Sequence, residues 1–148
     1  MPAPAAQNGV SSPSRITLDS DLFAVRHGLA RLFRMQPLCD LGEEARGTAE
    51  IVLAEVLNNI VEHAYADQPG EIRVEVRRGT AGIRCQIRDR GRPMPGDMPP
   101  PGHLKPLAEG DALPEGGFGW FLIRALVQDL TYDRDDGENI LSFRLDAG

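Results

Sequence analysis

No stretch of this chain constrains its fold more than Ile51-Val52-Leu53-Ala54-Glu55-Val56-Leu57-Asn58-Asn59-Ile60-Val61-Glu62-His63-Ala64-Tyr65. It contains neither Gly nor Pro, and its apolar residues recur with a helical period. On a helical wheel Ala49, Val52, Leu53, Val56, Leu57, Ile60 and Ala64 fill one broad arc, which predicts a core-facing helix from about Glu43 to Tyr65. Glu55, Asn59 and His63 follow one another at i, i+4 and i+8, so they form a polar stripe along the rim of that arc. Such a stripe is either a solvated helix edge or a place where a ligand meets side chains held by a packed scaffold.

The elements around this helix follow from pattern. Asp19-Ser20-Asp21 offers capping oxygens for a helix running to about Arg34, with Leu22, Val25, Leu29, Leu32 and Phe33 as its apolar face. Arg15–Leu18 reads as a short strand before it. Glu71–Arg77 alternates strictly, as does Ile83–Asp89, and Gly79–Gly82 between them is hairpin chemistry. Leu130–Asp133 and Ile140–Leu145 form a second hairpin across Asp135-Asp136-Gly137. In the strand at 83–89, Asp89 shares the core-facing parity of Ile83, Cys85 and Ile87. A carboxylate there is costly unless it is hydrogen-bonded or meets a ligand. By itself it fits either an Asp that starts a turn before Gly91 or an acceptor for an amino group such as that of adenine.

The run from Arg92 to Glu115 holds seven prolines and no apolar period, the pattern of a mobile lid. Glu115-Gly116-Gly117-Phe118-Gly119 then opens an apolar helix to about Gln128, packed by Phe121, Leu122, Ala125 and Leu126. Glycines at a helix start suit a tight turn, or a phosphate held by free N–H groups. The predicted architecture is a two-layer α/β (α+β) sandwich. A mixed, mostly antiparallel sheet is covered on one face by three helices. Residues 1–14 read as a disordered arm, and 15–148 as a single domain.

Composition removes several classes of function. A net charge of −6 argues against a general nucleic-acid binder, which needs a basic surface. No apolar run approaches a membrane span. The N-terminus lacks the basic region and apolar core of a signal peptide, and Cys39 and Cys85 read as reduced packing residues, which together suggest a cytoplasmic protein.

The ordered set has more meaning than its parts. Acid-x-x-x-Asn on a helix, Asp-x-Gly after a strand, a lid and a Gly-rich helix start resemble the GHKL-type (Bergerat) ATP-binding fold. That fold is shared by histidine kinase catalytic domains, gyrase-type ATPases and anti-sigma-factor kinases. The chain is most similar to the small anti-sigma serine/threonine kinases of bacterial partner switching, and the likeness runs from Arg15 to Leu145. It rests on Glu55–Tyr65, Asp89–Pro95 and Gly116–Arg124. The resemblance implies that Glu55 is the general base and that Asn59 coordinates a Mg²⁺ bridging the phosphates of ATP. His63 lines the nucleotide end of the helix. Asp89 takes the adenine amino group and Gly91 clears room for the base. Gly116, Gly117 and Gly119 face phosphate, Pro93 and Phe118 also bind the nucleotide, and residues 92–115 are the ATP lid. It further implies a homodimer that phosphorylates an anti-anti-sigma-like protein, sequesters a sigma factor, or does both. Some relatives have a basic residue just before the glycines where this chain has Glu115. The charge needed by the γ-phosphate then falls to Lys105, Arg124 or Arg92. The alternative is a non-catalytic module that keeps the nucleotide, or only the fold, and acts by sequestering a partner.

Overall fold

A computed structural model describes residues 12–100 and 117–148 of the chain. Five strands form one sheet in the order β1-β2-β3-β5-β4: β1 Ser14–Asp19, β2 Glu71–Gly79, β3 Gly82–Asp89, β4 Gln128–Asp135 and β5 Glu138–Leu145. Every pairing is antiparallel, so the sheet is uniform where a mixed one was allowed for. For two of the four pairings the reason is local. β2 with β3 and β4 with β5 are hairpins, and the Asp136–Gly137 turn takes positive φ at both residues (50° and 75°), the twist that a tight hairpin requires.

Three helices, α1 Leu22–Leu32, α2 Glu43–Asn59 and α3 Gly117–Leu126, accompany the sheet. Asp21 caps α1 by accepting from the Ala24 N–H at 2.8 Å. The packed stripe of α1 runs through Val25, Gly28 and Leu32, where a Cβ on Gly28 would stand 3.2 Å from Leu18 Cδ2. Leu22 falls at the exposed end of that stripe and does not join the core; Phe23 is 75% exposed. Of the rest of the predicted core faces of the first two helices, Leu29 and Ala64 are half-buried and the others are packed. Ala49, Val52, Leu53, Val56, Leu57 and Ile60 of the long helical stretch are buried against Ile72, Val74, Val76, Ile83, Ile87, Leu141 and Phe143.

Two expectations about packing are corrected. In α3 the buried residues are Trp120 and Ile123, one turn apart and on the side turned to α2, whereas Phe121 and Ala125 are exposed. Cys39 is exposed, because it sits in a short 3₁₀ turn, Leu38–Asp40, that buries only Leu38. Cys85 is a core residue whose thiol is pushed up to about 12 by burial. The predicted arm lies outside the described residues as far as residue 11, as do positions 101–116 of the lid and its following glycine.

Candidate functional site

The long helix does not run straight to Tyr65. After Asn59 it widens into a π-helical turn, Ile60–Ala64, closed by the Tyr65 N–H on Ile60 O at 3.0 Å. Single π turns of this kind occur often at functional sites. Tyr65 fastens the turn to the sheet: its hydroxyl donates to Glu71 O at 2.6 Å and accepts from the Arg90 N–H at 2.7 Å. Arg92 fastens it from the other side, with its N–H on Ala64 O at 2.8 Å and its guanidinium on His63 O.

Between the π turn, the end of β3, α3 and the β4–β5 hairpin lies a cavity of about 570 Å³. Asn59, His63, Asp89 and Pro93, four of the residues singled out from sequence, line it. Apolar walls come from Val56, Ile60, Met94, Trp120 and Leu141. This combination of apolar walls and a few convergent polar groups is that of a small-molecule site.

At one end the polar groups form a closed network. Asp89 is 5% exposed, and its Oδ1 accepts from the Gly91 N–H at 2.9 Å and from Asn139 Nδ2 at 2.8 Å. Its Oδ2 carries no hydrogen bond among the described residues. Asn139, opposite Asp89 in the β3–β5 register, also donates to the Arg92 carbonyl at 2.9 Å. Its Oδ1 accepts from Arg134 at 2.8 Å and from the Tyr132 hydroxyl, which in turn accepts from the Met94 N–H at 3.0 Å. Burial raises the Asp89 carboxyl above its ordinary range. The Asn139 and Gly91 donors and the Arg134 charge pull it back, and the net direction is up.

At the other end the groups are not closed. Asn59 Nδ2 is buried without a hydrogen-bond partner among the described residues. A buried amide left unpaired is unfavourable unless a ligand meets it. Half a turn of the amide exchanges Nδ2 and Oδ1, so the position suits a phosphate oxygen or a hard cation. Gly119 of α3 stands against Asn59 and Glu55: a Cβ there would lie 2.8 Å from Glu55 Oε2 and 3.3 Å from Asn59 Nδ2. Glu55 is half-buried one turn before Asn59, beside the cavity and outside its lining.

Gly91 has a different surrounding from the one expected. A Cβ on it would be 2.3 Å from Ala64 O, so its missing side chain makes room for the π turn, and it borders a second, polar cavity on the far side of the strand end. Gly117 is the first residue of α3; Gly116 and the Phe118 side chain lie outside the described residues. Two of the three candidate cations are engaged elsewhere. Arg124 donates to the carbonyls of Pro99 and Pro100 at 2.9 and 2.8 Å, and Arg92 holds His63 O; Lys105 is outside the described residues. Sequence reasoning missed Asn139, Tyr132 and Trp120. Asn139 carries the same signal as Asp89, a polar residue on a core-facing parity, once β5 begins at Glu138 rather than Ile140.

This fold belongs to a known class. The family model described as the histidine kinase-like ATPase domain matches residues 17–145, and the chain belongs to that family. Its similar relatives are the serine-protein kinases RsbW. Those of Bacillus cereus and Bacillus anthracis are 30% identical over 102 residues, 62% of this chain and 59% of the relative. That of Bacillus mycoides is 29% identical over 97 residues. The match therefore spans less than two thirds of those proteins. The crystal structure of the RsbU and RsbW domains of Rv1364c from Mycobacterium tuberculosis shares the fold, with a TM-score of 0.61 at 21% identity over 92% of this chain and 32% of that one. No helix among the described residues is long and apolar enough to cross a membrane.

Proposed function

We propose that the chain is a cytoplasmic, ATP- and Mg²⁺-dependent serine/threonine protein kinase of the anti-sigma type. In this reading it phosphorylates an anti-anti-sigma-like protein, holds a sigma factor inactive, or does both, and works as a homodimer. The observation that carries it is the carboxylate of Asp89. One oxygen is saturated by Gly91 and Asn139 and the other has no partner among the described residues, and Asp89 lines one cavity with Asn59, whose buried amide is likewise unpartnered there. A free carboxylate oxygen beside apolar walls suits the exocyclic amine of adenine. Family membership and the likeness to RsbW kinases point the same way.

The residues divide the work. Asp89 reads the base; Trp120, Met94 and Leu141 supply apolar surface, and Gly117 and Gly119 let the α3 start approach phosphate. Among the described residues no group of three His, Cys, Asp or Glu side chains could hold a metal alone. A cation here would therefore take Asn59 together with phosphate and water oxygens, a donor set that suits Mg²⁺. Mg²⁺, when bound, neutralises phosphate charge. In this reading Glu55 takes the proton from a Ser or Thr hydroxyl as the hydroxyl oxygen bonds to the γ-phosphorus and ADP leaves.

Calorimetric titration with MgATP and MgGTP tests the site. Micromolar to millimolar ATP binding that Asp89→Asn weakens roughly tenfold to a hundredfold, with GTP excluded, is expected; absence of binding to folded wild type overturns it. Transfer of labelled γ-phosphate to a cognate partner tests the kinase. A second reading, a nucleotide-binding module without transfer, is favoured by Arg92 and Arg124 already being engaged. It predicts binding without transfer.

A further inference from the structure

The helices lie on one face of the sheet, and the other face is open among the described residues. On that open face the register sets three arginines abreast: Arg77 on β2 is opposite Arg84 on β3, and Arg84 is opposite Arg144 on β5. Like charges directly opposite on neighbouring strands are unfavourable, and Thr or Ser would fill such positions without that cost. The next arginine pair shows how the fold relieves it. Arg73 is opposite Arg88, and both are paired with the buried Glu138, Arg88 at 2.9 Å. Those two arginines hold the Glu138 carboxyl below the usual range despite its burial, which pushes it up.

The row of three has no shared acid. Arg144 meets Asp129 at 3.0 Å and the Ala81 carbonyl at 2.9 Å, both at the edge of the row. Arg77 reaches Glu75 only at 3.5 Å. Arg84, in the middle and exposed, has neither an ion pair nor a side-chain hydrogen bond among the described residues.

We propose that the Arg77–Arg84–Arg144 row is a docking site for an acidic helix of a partner protein, lying across the strands. Paired residues on neighbouring strands are about 5 Å apart, and side chains at i and i+4 of a helix repeat at about 6 Å, so carboxylates on one helix face meet successive guanidinium groups. Arginine binds carboxylate with two parallel hydrogen bonds, which suits this flat, open surface. Nucleic acid fits less well. The row is short, Glu75 and Asp129 flank it, and the chain carries a net charge of −6.

The test is fluorescence anisotropy at low salt with the full chain. The probe is a labelled Ala-rich helical peptide carrying Glu at every fourth position, with its Gln counterpart, an oligothymidine and anionic vesicles alongside. The Glu peptide is expected to bind, to weaken with added salt, and to lose roughly tenfold or more in affinity on Arg84→Glu. Arg84→Thr keeps a strand-favouring residue; it should lower peptide affinity and raise Tm, since the like-charge contact is gone. MgATP affinity should be unchanged in both variants, which separates this surface from the nucleotide site. Equal binding of the Glu and Gln peptides overturns the proposal. So do an unaffected Arg84→Thr variant, no binding to wild type, or tighter binding of the oligonucleotide or vesicles.

Discussion

The two ends of the main cavity are built on opposite principles. Around Asp89 every polar group but one oxygen is spoken for: Asn139, Tyr132, Arg134, Gly91 and the Met94 N–H form a closed set joining β3, β4, β5 and the start of the lid. Around Asn59 the reverse holds, with a buried amide unpaired among the described residues and a half-buried Glu55 beside a glycine. A closed network fixes the geometry of its one free acceptor before any ligand arrives. An open one leaves its satisfaction to the ligand. The base end should therefore matter to both stability and recognition, and the phosphate end to binding and chemistry alone.

The largest effect expected is on chemistry. Glu55→Gln should leave MgATP binding intact and cut phosphoryl transfer by roughly a hundredfold or more, measured with labelled γ-phosphate. Full transfer by this variant would remove Glu55 from the reaction.

Asn139→Ala attacks the closed end. It takes one of two donors from Asp89 Oδ1, the side-chain donor from the Arg92 carbonyl and the acceptor from the Tyr132 hydroxyl, so urea unfolding should show a loss of about 2–4 kcal/mol, with ATP affinity falling as well. A loss no larger than that of a surface change would mean that the two ends do not differ.

Asp89→Asn separates recognition from stability. Its Oδ1 can keep the Gly91 and Asn139 donors, while an NH₂ replaces the free acceptor. ATP affinity should fall on the order of tenfold to a hundredfold, the value of a charge-assisted hydrogen bond. Stability at neutral pH should hold or rise. The reason is the sign of the shift: a carboxyl whose pKa is raised by folding contributes stability below its unfolded pKa and loses it as pH rises through its folded pKa. The ionised Asp89 is thus the less favourable form in the fold. In wild type, ATP affinity should also decline on acidification, roughly tenfold per pH unit below the Asp89 pKa, starting at higher pH than for an ordinary carboxylate. The Asn variant should lack that limb.

The smallest effect belongs to the open end. Asn59→Ala removes an unpaired buried amide and adds a better helix former, so stability should stay equal or rise by about 1 kcal/mol or less. Its ATP affinity should lose its dependence on Mg²⁺. A clear drop in Tm would show that Asn59 is part of the scaffold.

Sequence alone determined the elements and their faces. Periodicity of 3.6 placed the core arc of α2, and a period of two put Ile83, Cys85, Ile87 and Asp89 on one side of β3. These are local properties, set by side-chain size and backbone sterics within a few residues. The positions of Glu55, Asn59, Asp89 and Gly119 at the ends or rims of their elements were legible in the same way, and their meaning as a set came from the family resemblance. What joins those ends was not. Asn139 is 50 residues from Asp89, and only the antiparallel register of β3 with β5 makes them opposite. Gly91 also lies against the π turn because Ala64 comes within contact distance, a fact of chain packing that no local pattern encodes. Which arginines stand abreast on the open face was decided in the same way. Pairing across strands is a long-range choice, settled when the whole core closes and not by residues adjacent in the chain.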